Sequence, residues 1–388
     1  MRILLVSSWY PPIVAGSALW TESLADSLRK RGHDVRILTT QWKNIQTNKQ
    51  RNEIVYELPA WTLPKNPFVL GLSIVPVSVS VANLNRFRKI IRDFKPDIIH
   101  QINHIFDTVL LSAYISQQYN IPLVGSMTTP IQSSSPLKNS FMKLIDRRVV
   151  YSYGVKYWCR IICSDSAHVK YVLNHYGEKV RSKIVSNIHT GVHQRIQNKN
   201  YKIKFQSPTI VSIGHIHPAR NPINLIRAMP IVLKEIPEAK LILAGRIQFN
   251  EPINEVERLV LKSSVRFLGE IQPEDVSKLI SKAHVFAILH FIRYDQLSFT
   301  SIEAMYHKTP VLINVPEDLY GKDVLKDEEN IMIVNKFNIQ EISQKLIKLL
   351  KNNALREKIG LNGKEFVDSY LNWDICAEKT EQLYKEII

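Results

Sequence analysis

The stretch TIVSIGHIHPARNPINLIRA, from Thr209 to Ala228, decides the fold class of this chain. It opens with a short apolar run, Thr209–Ile213, that has the composition of a buried β-strand. Gly214 ends the run, and a helix is predicted to start near Pro222, because proline favours the first helical turn. A strand, a glycine turn and a helix in this order predict a parallel α/β sheet.

The same alternation of apolar runs and helical stretches extends through the chain on both sides of this segment. We predict further buried strands at RILLVSS, DVRILTT, DIIHQI and IPLVGSM, and later at KLILAGR, VRFLG, HVFAILH and TPVLINV. SALWTESLADSLRKRGH is predicted to form a helix, since Ala18, Thr21, Ala25 and Leu28 share one face and Gly32 ends it. The pattern predicts two Rossmann-like, doubly wound parallel-sheet domains that face a central cleft, where such sheets bind ligands.

A chain of 388 residues has room for two domains. We place the first domain at residues 1–200 and the second at residues 201–372. The polar, basic and weakly periodic segment QRIQNKNYKIKFQSP (194–208) is the predicted linker. Residues 373–388 are predicted to form a C-terminal helix, for which we consider packing against the first domain.

The formal net charge of +16 is concentrated in the first half of the chain. Residues 1–200 carry 26 Lys and Arg against 11 Asp and Glu, a balance of +15, whereas residues 201–388 carry 25 against 24, a balance of +1. A basic half favours an anionic partner such as nucleic acid, a lipid headgroup or an anionic acceptor. A basic surface that only aids solubility is the alternative.

The cysteines and the apolar runs indicate in which cellular compartment the protein is expected. Cys159, Cys163 and Cys376 form neither a metal-ligand pattern nor a disulfide framework, which favours a reducing environment. We interpret MRILLVSSWYPP as a buried strand and not as a signal peptide. No stretch offers the roughly 18–20 apolar residues that a membrane-spanning helix needs. We therefore expect a cytoplasmic protein, with peripheral attachment to the cytoplasmic face of a membrane as a further hypothesis.

Polar residues that follow the predicted strands of the second half are the candidate binding residues. Arg220 precedes a predicted helix, and a guanidinium beside a helix N-terminus favours a diphosphate, with a surface arginine as the alternative. Glu270 and Ile271 follow VRFLG, where their backbone could contact a base edge. Asp295 follows HVFAILH, and Glu303, predicted at a helix start, could accept hydrogen bonds from a ribose diol. Solvated acids are the alternative for both carboxylates.

These segments, taken in order, resemble the family 4 retaining glycosyltransferases, which have the GT-B fold. WYPPIVAGSALWTESLADSLRKRGHDV resembles the family's N-terminal glycine loop and first helix, and the likeness covers nearly the whole chain. KPDIIH, GHIHPARNP, LILAG, VRFLG, DQLSFTSIEAMYHKTPV and NWDICAEKTEQLY follow in the family's order. The resemblance implies a hexosyl- or N-acetylhexosaminyltransferase that moves a sugar from a UDP- or GDP-sugar. The acceptor would be a glycan or a lipid-linked molecule in the synthesis of a cell-surface polysaccharide, glycolipid or glycoprotein glycan.

The resemblance also assigns roles to individual residues. It implies that Glu303 holds the ribose, that Asp295 contacts the transferred sugar near its reacting carbon, and that Arg220 binds the diphosphate as it leaves. It implies that Gly16 lets the backbone approach the donor phosphate, because a residue without Cβ leaves room there. The remaining donor-side positions that match are Gly214, His215, Glu270, Ile271, Leu297 and Ser298.

Several positions depart from the family's pattern on both the donor and the acceptor side. His215 stands where arginine is frequent, so Arg220 would carry more of the diphosphate charge, because a neutral imidazole contributes less. Thr128 and Thr129 fill the place of an active-site histidine on the acceptor side. His100 and His104 could compensate, His100 as a catalytic residue, and core histidines are the alternative.

We expect neither a metal ion nor a cofactor, since the nucleotide sugar is a substrate. An Asp-x-Asp motif occurs nowhere in the chain, so the metal–diphosphate route of other glycosyltransferases lacks its ligands. Charge on the leaving diphosphate would be met by Arg220 and helix N-termini. The resemblance implies same-face attack, in which the leaving phosphate helps to take the proton of the acceptor.

The basic N-terminal domain binds the acceptor in this fold, so its charge predicts docking on an anionic membrane. NPFVLGLSIVPVSVSVANLNRFRKIIR (66–92) pairs an apolar run with a basic tail that could lie among lipid headgroups. A loop and a buried helix that cover the first domain are the alternative.

Three other functions compete with this interpretation. A nucleic-acid-binding protein would explain the charge, but not the ordered motifs at the strand ends, and no helix shows a basic stripe with base-reading side chains. A GT-B protein that binds a nucleotide sugar without transferring it, such as the inactive subunit of a pair, is favoured by Thr128 and His215. A sugar-nucleotide epimerase on the same fold is disfavoured by the Asp295–Glu303 segment.

Overall fold

The computed structural model describes residues 1–13, 15–41, 54–63, 75–131, 136–192, 204–290 and 296–388. The contacts within the chain divide it into two compact units. The first unit is Met1–His193 together with Trp373–Ile388, and the second is Gln194–Asn372. Most of the predicted linker, up to residue 203, lies outside the described residues.

The first unit is built on a seven-stranded parallel sheet. Strands of this unit are β1 (Arg2–Val6), β2 (Asp34–Gln41), β3 (Val55–Pro59), β4 (Trp61–Leu63), β5 (Val75–Val77), β6 (Ile98–Ile102), β7 (Leu123–Met127), β8 (Arg160–Cys163) and β9 (Ile184–Val185). Their order in the sheet is β3-β2-β1-β6-β7-β8-β9, while β4 and β5 pair separately and antiparallel. The winding therefore reverses between β1 and β6, which makes this the switch point where such sheets bind ligands.

The helices of the first unit connect these strands and cover the sheet. They are α1 (Gly16–Lys30), α2 (Val81–Phe94), α3 (Thr108–Tyr119), α4 (Pro136–Ile145), α5 (Tyr151–Tyr153) and α6 (Ser166–Tyr176). A π-helical turn, Asp146–Val150, joins α4 to α5, so that residues 136–153 are one continuous helical segment. The predicted face of α1 is confirmed, because Ala18, Thr21, Ala25 and Leu28 are all fully buried.

The second unit repeats this architecture with a six-stranded parallel sheet. Its strands are β10 (Thr209–Ile213), β11 (Lys240–Ala244), β12 (Val265–Gly269), β13 (Val285–Ile288), β14 (Val311–Ile313) and β15 (Met332–Ile333). Its helices are α7 (Pro222–Glu235), α8 (Glu251–Arg258), α9 (Pro273–Lys282), α10 (Phe299–Tyr306), α11 (Ile339–Lys351) and α12 (Asn353–Tyr370). The strand order β12-β11-β10-β13-β14-β15 places the switch point between β10 and β13.

The last helix, α13 (Trp373–Ile387), belongs to the first unit. It packs against α1, where the indole rings of Trp20 and Trp373 meet edge to face with centroids 5.7 Å apart. Arg31, just after α1, donates a hydrogen bond of 2.6 Å to Glu381 of α13. Trp20 is therefore buried as well, and α1 has a wider buried face than its four predicted positions.

Each unit has its own apolar core, as expected for domains that fold around separate sheets. The strands predicted from RILLVSS, DVRILTT, DIIHQI, IPLVGSM and their five counterparts in the second half are all present as β1, β2, β6, β7 and β10–β14. Across the described ranges, no helix has the length and apolar character to cross a membrane.

Candidate functional site

Three strands of the second sheet end together at the predicted donor site. The amide of Gly214, after β10, donates to the carbonyl of Ala244 (2.9 Å), and the amide of Gly245, after β11, donates to the carbonyl of Gly269 (2.7 Å). Gly245 has a φ of +139°, and a Cβ atom there would lie 2.1 Å from the carbonyl oxygen of Gly214. The two strand ends thus approach each other closely enough to require glycine.

The guanidinium of Arg220 lies against the backbone of Gly214. A Cβ atom on Gly214 would be 2.6 Å from Nη1 of Arg220, so a side chain there would displace the guanidinium. Arg220 ends a short 3-10 turn, and its amide donates to the carbonyl of His217 (2.9 Å). The site therefore places a fixed cation at the carboxyl end of β10, where the sequence predicts a diphosphate.

The N-terminus of α7 lies directly after Arg220. Asn221 is the N-cap residue, with left-handed backbone angles, and within this described segment its side chain makes no capping hydrogen bond. That side chain donates instead towards the carbonyl of Lys336 (3.4 Å). Arg220, Gly214, His215 and Pro222 line a small cavity at this helix end. A helix N-terminus beside a guanidinium is suited to a phosphate group.

Three histidines around Arg220 are kept neutral by their surroundings. Burial, followed by the charges of Arg220 and Arg246, lowers the pKa of His215. Burial and the charge of Arg220 lower the pKa of His217 to about 4. His290 is more deeply buried, and its pKa falls to about 3 for the same reasons. The positive charge of the site at neutral pH thus comes from the arginines.

His290 is a site residue that the sequence analysis missed. It lies two residues past β13, at the switch point, and its amide donates to Oδ1 of Asn314 (2.6 Å). Its buried Nε2 has no hydrogen-bond partner in the part of the chain that the structure describes. The predicted strand HVFAILH includes His290 as its last residue, so the rule that selects polar residues past a strand did not find it.

Glu303 does not start a helix, which corrects the prediction for this residue. α10 begins at Phe299, because Ser298 caps it by accepting a hydrogen bond from the amide of Ser301 (3.2 Å). Glu303 lies one turn further on and is buried, and Ser277 of α9 donates to its Oε1 at 2.5 Å. Its carboxylate is therefore held by side chains, and not by the first turn of the helix.

The other acids and loop residues of the donor side have different environments. Glu270 is exposed, and its carboxylate lies 3.2 Å from the guanidinium of Arg246. Ile271 follows it in the short connection between β12 and α9. Leu297 is buried just before the Ser298 cap. Asp295 lies outside the described residues, so its predicted contact with the transferred sugar stays a prediction.

The start of α10 is tied to the end of β10. Thr300 donates a hydrogen bond of 3.3 Å from Oγ1 to the carbonyl of Ile213, the last residue of that strand. The helix that carries Glu303 is therefore adjacent to the end of the strand that precedes Arg220.

In the first unit, His100 is a core residue, which corrects its assignment to catalysis. It lies on β6 and is fully buried. Nδ1 is 2.5 Å from the hydroxyl of Tyr384 on α13, and Nε2 is 2.8 Å from the hydroxyl of Ser126 on β7. Burial lowers the pKa of His100 to about 3. With both nitrogens engaged by neighbours, the ring has no atom available to an acceptor.

His104 is also buried, just beyond β6, so it too fits the core alternative better than the acceptor role. Its Nε2 lies 3.2 Å from the hydroxyl of Tyr171, which donates to Asp146 (3.0 Å). Burial, with a smaller effect from His168, lowers the pKa of His104 to about 3. A buried network of this kind stabilises the carboxyl side of the sheet.

Thr128 and Thr129 follow β7 and are half-buried. Oγ1 of Thr128 is a buried atom without a hydrogen-bond partner among the described residues. Close to the Thr128 backbone, His168 pairs with Asp165 at 2.8 Å, and this carboxylate raises the pKa of His168 although burial acts to lower it. The sequence analysis did not single out this His–Asp pair, because no local sequence motif indicates it.

Gly16 is the first residue of α1 and is exposed. The preceding residue, Ala15, is the N-cap, has an extended backbone and offers no side chain for capping. Gly16 therefore lies at a helix N-terminus near the carboxyl end of β1, the position that the resemblance predicts for an approach to phosphate. Among the described residues, no group of three or more His, Cys, Asp or Glu could hold a metal ion.

Two family models match the chain in succession. The model "Glycosyltransferase Family 4" matches residues 14–194, and the model "Glycosyl transferases group 1" matches residues 193–366. An uncharacterized glycosyltransferase of Methanocaldococcus jannaschii is 24% identical over 391 residues, which cover 100% of this chain and 99% of that protein. The alpha-monoglucosyldiacylglycerol synthase of Streptococcus pneumoniae is 26% identical over 80% of this chain and 70% of its own length.

The fold has close counterparts among solved structures. The Anabaena protein HepE, solved in complex with UDP, superposes with a TM-score of 0.73 at 15% identity, over 100% of both chains. Neighbours of this kind are GT-B glycosyltransferases. With two parallel-sheet units of the same strand order and a family model on each, the chain belongs to the family 4, group 1 glycosyltransferases and has their GT-B fold.

Proposed function

We propose that the protein is a retaining glycosyltransferase that uses a UDP- or GDP-sugar without a divalent metal ion. The observation that carries the proposal is the guanidinium of Arg220 against Gly214, beside the N-terminus of α7 and at the switch point of the second sheet. Such an arrangement is suited to the charge that develops on a departing diphosphate. The fold neighbour HepE was solved in complex with UDP, which supports a nucleotide as ligand.

In the proposed reaction, the bond between the anomeric carbon and the phosphate oxygen breaks as the acceptor hydroxyl attacks from the same face. The hydroxyl proton passes to the departing phosphate, so that the products are the glycosylated acceptor and the protonated nucleoside diphosphate. Arg220 stabilises the leaving group, Glu303 orients the ribose, and Asp295 contacts the transferred sugar. This differs from retaining hydrolases, whose two carboxyl groups lie about 5 Å apart across the sugar.

We propose a lipid-linked or glycan acceptor, bound by the basic first unit at the cytoplasmic face of a membrane. The balance of +15 over residues 1–200 supports an anionic acceptor or surface. The pneumococcal relative is named as a synthase of a glucosyldiacylglycerol, which supports a lipid acceptor.

The donor assignment is tested by calorimetric titration with UDP, GDP and ADP in the presence of EDTA. One nucleotide is expected to bind, and Glu303→Gln should weaken it about tenfold or more, because hydrogen bonds to a charged carboxylate contribute about 1.5–3 kcal/mol. Glu365→Gln, an exposed acid on α12, is the control and should bind as the wild type does. Failure of all three nucleotides to bind would contradict the proposal.

Binding without transfer is the second candidate, and one observation favours it. His100 and His104, the two histidines that could replace the missing acceptor-side histidine, are both buried in core networks. Incubation with the sugar form of the nucleotide that binds separates the two functions. Release of free nucleoside diphosphate, lost in Asp295→Ala while nucleotide affinity is largely kept, supports transfer. Binding with no release from any sugar form supports the inactive-subunit alternative.

A further inference from the structure

The helical segment 136–153 displays a row of large apolar side chains to solvent. Six of its residues are between 41% and 85% exposed. They are Leu137, Phe141, Leu144, Ile145, Val149 and Tyr153, which we call the apolar row. Apart from the adjacent pair Leu144 and Ile145, successive members are three or four residues apart, which places them on one broad side of the helix. Exposed apolar residues in such a continuous arrangement mark an interaction surface.

The opposite side of the same segment is fixed to the first unit. Met142 and Asp146 are buried. Asp146 accepts hydrogen bonds from the hydroxyl groups of Tyr171 (3.0 Å) and Tyr176 (2.8 Å) on α6. Arg147 also donates to the carbonyls of Asn174 (2.8 Å) and His175 (2.7 Å). The segment is therefore held in one orientation, and the apolar row faces outward as a consequence of this anchoring.

The positive charge of the helical segment 136–153 favours an anionic partner. Residues 136–153 contain Lys138, Lys143, Arg147 and Arg148, and Asp146, their one acidic residue, is buried. A cationic helix that also carries an exposed apolar row is typical of segments that lie in the interface of an anionic lipid layer. A second copy of this chain would bring the same positive charge to this surface, so like-charge repulsion disfavours self-association.

This surface differs from the one that the sequence predicts. Residues 66–74, which begin the apolar run of segment 66–92, lie outside the described residues. The basic tail of that segment forms α2, which buries Phe87, Ile91 and Phe94 in the core of the first unit. The buried-helix alternative therefore holds for the described part, and α2 has no comparable apolar face left for a membrane.

We propose that the apolar row, with its flanking cations, docks the first unit on an anionic lipid surface. The apolar side chains enter the headgroup boundary while the exposed Arg148 faces the lipid phosphates. The proposal deepens the membrane attachment proposed above, but its binding step is independent of the transfer reaction, so the two can fail separately.

Vesicle co-sedimentation of the full chain tests the docking. We expect binding to vesicles of phosphatidylcholine with about 30% phosphatidylglycerol and little binding to phosphatidylcholine alone. The double variant Leu137→Ser/Phe141→Ser should weaken the binding about tenfold or more, because two large apolar side chains no longer enter the lipid. Leu361→Ser, a comparably exposed apolar residue on α12 of the second unit, should bind as the wild type does.

Other outcomes overturn the proposal. Equal binding of the double variant and the wild type would show that another surface docks, and no binding to anionic vesicles would exclude docking. A concentration-dependent dimer that Leu137→Ser/Phe141→Ser dissolves would assign the row to a second copy of the chain. If the double variant does not fold, Arg148→Glu decides, since it should lose binding to anionic vesicles. Nucleotide affinity should stay unchanged in every variant, and its loss would point to the donor site instead.

Discussion

The two parallel sheets have the same strand order, yet the polar residues at their switch points serve different purposes. In the second unit, Arg220 follows β10 and lines a small cavity at the N-terminus of α7, and His290 follows β13. In the first unit, His100 is enclosed by Ser126 and Tyr384. The imidazole of His100 is thus enclosed by neighbouring side chains, whereas Arg220 lines a cavity.

Substitution of Gly245, where the ends of β10 and β11 approach each other, should cause the largest loss of stability. Gly245→Ala would force a Cβ atom onto the Gly214 carbonyl at a φ of +139°, so we expect a loss of about 3 kcal/mol or more in the free energy of unfolding. All six tryptophans belong to the first unit. Urea unfolding should therefore show the loss by circular dichroism and not by tryptophan fluorescence.

Gly32→Ala is the matched control for Gly245→Ala. Gly32 also has a positive φ, +87°, but a Cβ atom there would meet open space. We expect a cost of about 1 kcal/mol, from backbone conformation alone. Equal costs for the two variants would mean that the close approach of β10 and β11 is not a constraint on the site.

His100→Leu tests whether the histidine of the first unit is structural. The variant leaves the hydroxyl groups of Ser126 and Tyr384 buried without their partner, at a cost of about 2–3 kcal/mol. The shift should appear in urea unfolding followed by tryptophan fluorescence. Nucleotide affinity should stay within about twofold of wild type; a lost affinity with unchanged stability would restore a functional role for His100.

Acid should destabilise the first unit through the same histidine. The pKa of His100 is about 3 in the folded chain, below its ordinary value of 6.5, so the unfolded chain binds the proton more readily between these values. Stability is therefore complete above pH 6.5 and falls as the pH drops, by about 2 kcal/mol at pH 5 from this group alone. His100→Leu should show a pH 7 to pH 5 loss that is smaller by this amount, and an unchanged loss would contradict the assignment.

The exposed pair of Arg246 and Glu270 should give the smallest effect. Both side chains are more than half exposed, so Glu270→Gln should change the free energy of unfolding by less than about 0.5 kcal/mol. Because the prediction for Glu270 concerns its backbone, nucleotide affinity should also change by less than about twofold. A large loss of affinity in calorimetry would show that the side chain contacts the ligand.

The fold was predictable because its signals are local. Strands such as Thr209–Ile213 are apolar runs closed by glycine, and Arg220 lies on the short turn that follows, so its place at the strand end required no distant information. His100 lies within β6, and its role depends on Tyr384, which lies 284 residues away in the sequence. The predicted helix start at Glu303 was one turn too late, because Ser298 caps α10 and the helix begins at Phe299.

The apolar row illustrates the same limit. Periodicity indicates that residues 136–153 have an apolar side, but an apolar side ordinarily faces a core. Tertiary contacts, among them the hydrogen bonds from Tyr171 and Tyr176 to Asp146, orient this segment with its apolar row outward. Membrane docking was predicted for segment 66–92 instead, because its basic residues follow an apolar run directly in the sequence.

Calorimetric titration of the cognate nucleotide into the wild type, Arg220→Gln and His100→Leu, with EDTA present, tests the central claim most directly. If the carboxyl end of the second sheet binds the diphosphate, Arg220→Gln should weaken the affinity about 10- to 100-fold, since hydrogen bonds to charged groups contribute about 1.5–3 kcal/mol. His100→Leu should bind nearly as the wild type does. Wild-type affinity in Arg220→Gln, or a loss confined to His100→Leu, would contradict the donor site described for the second unit.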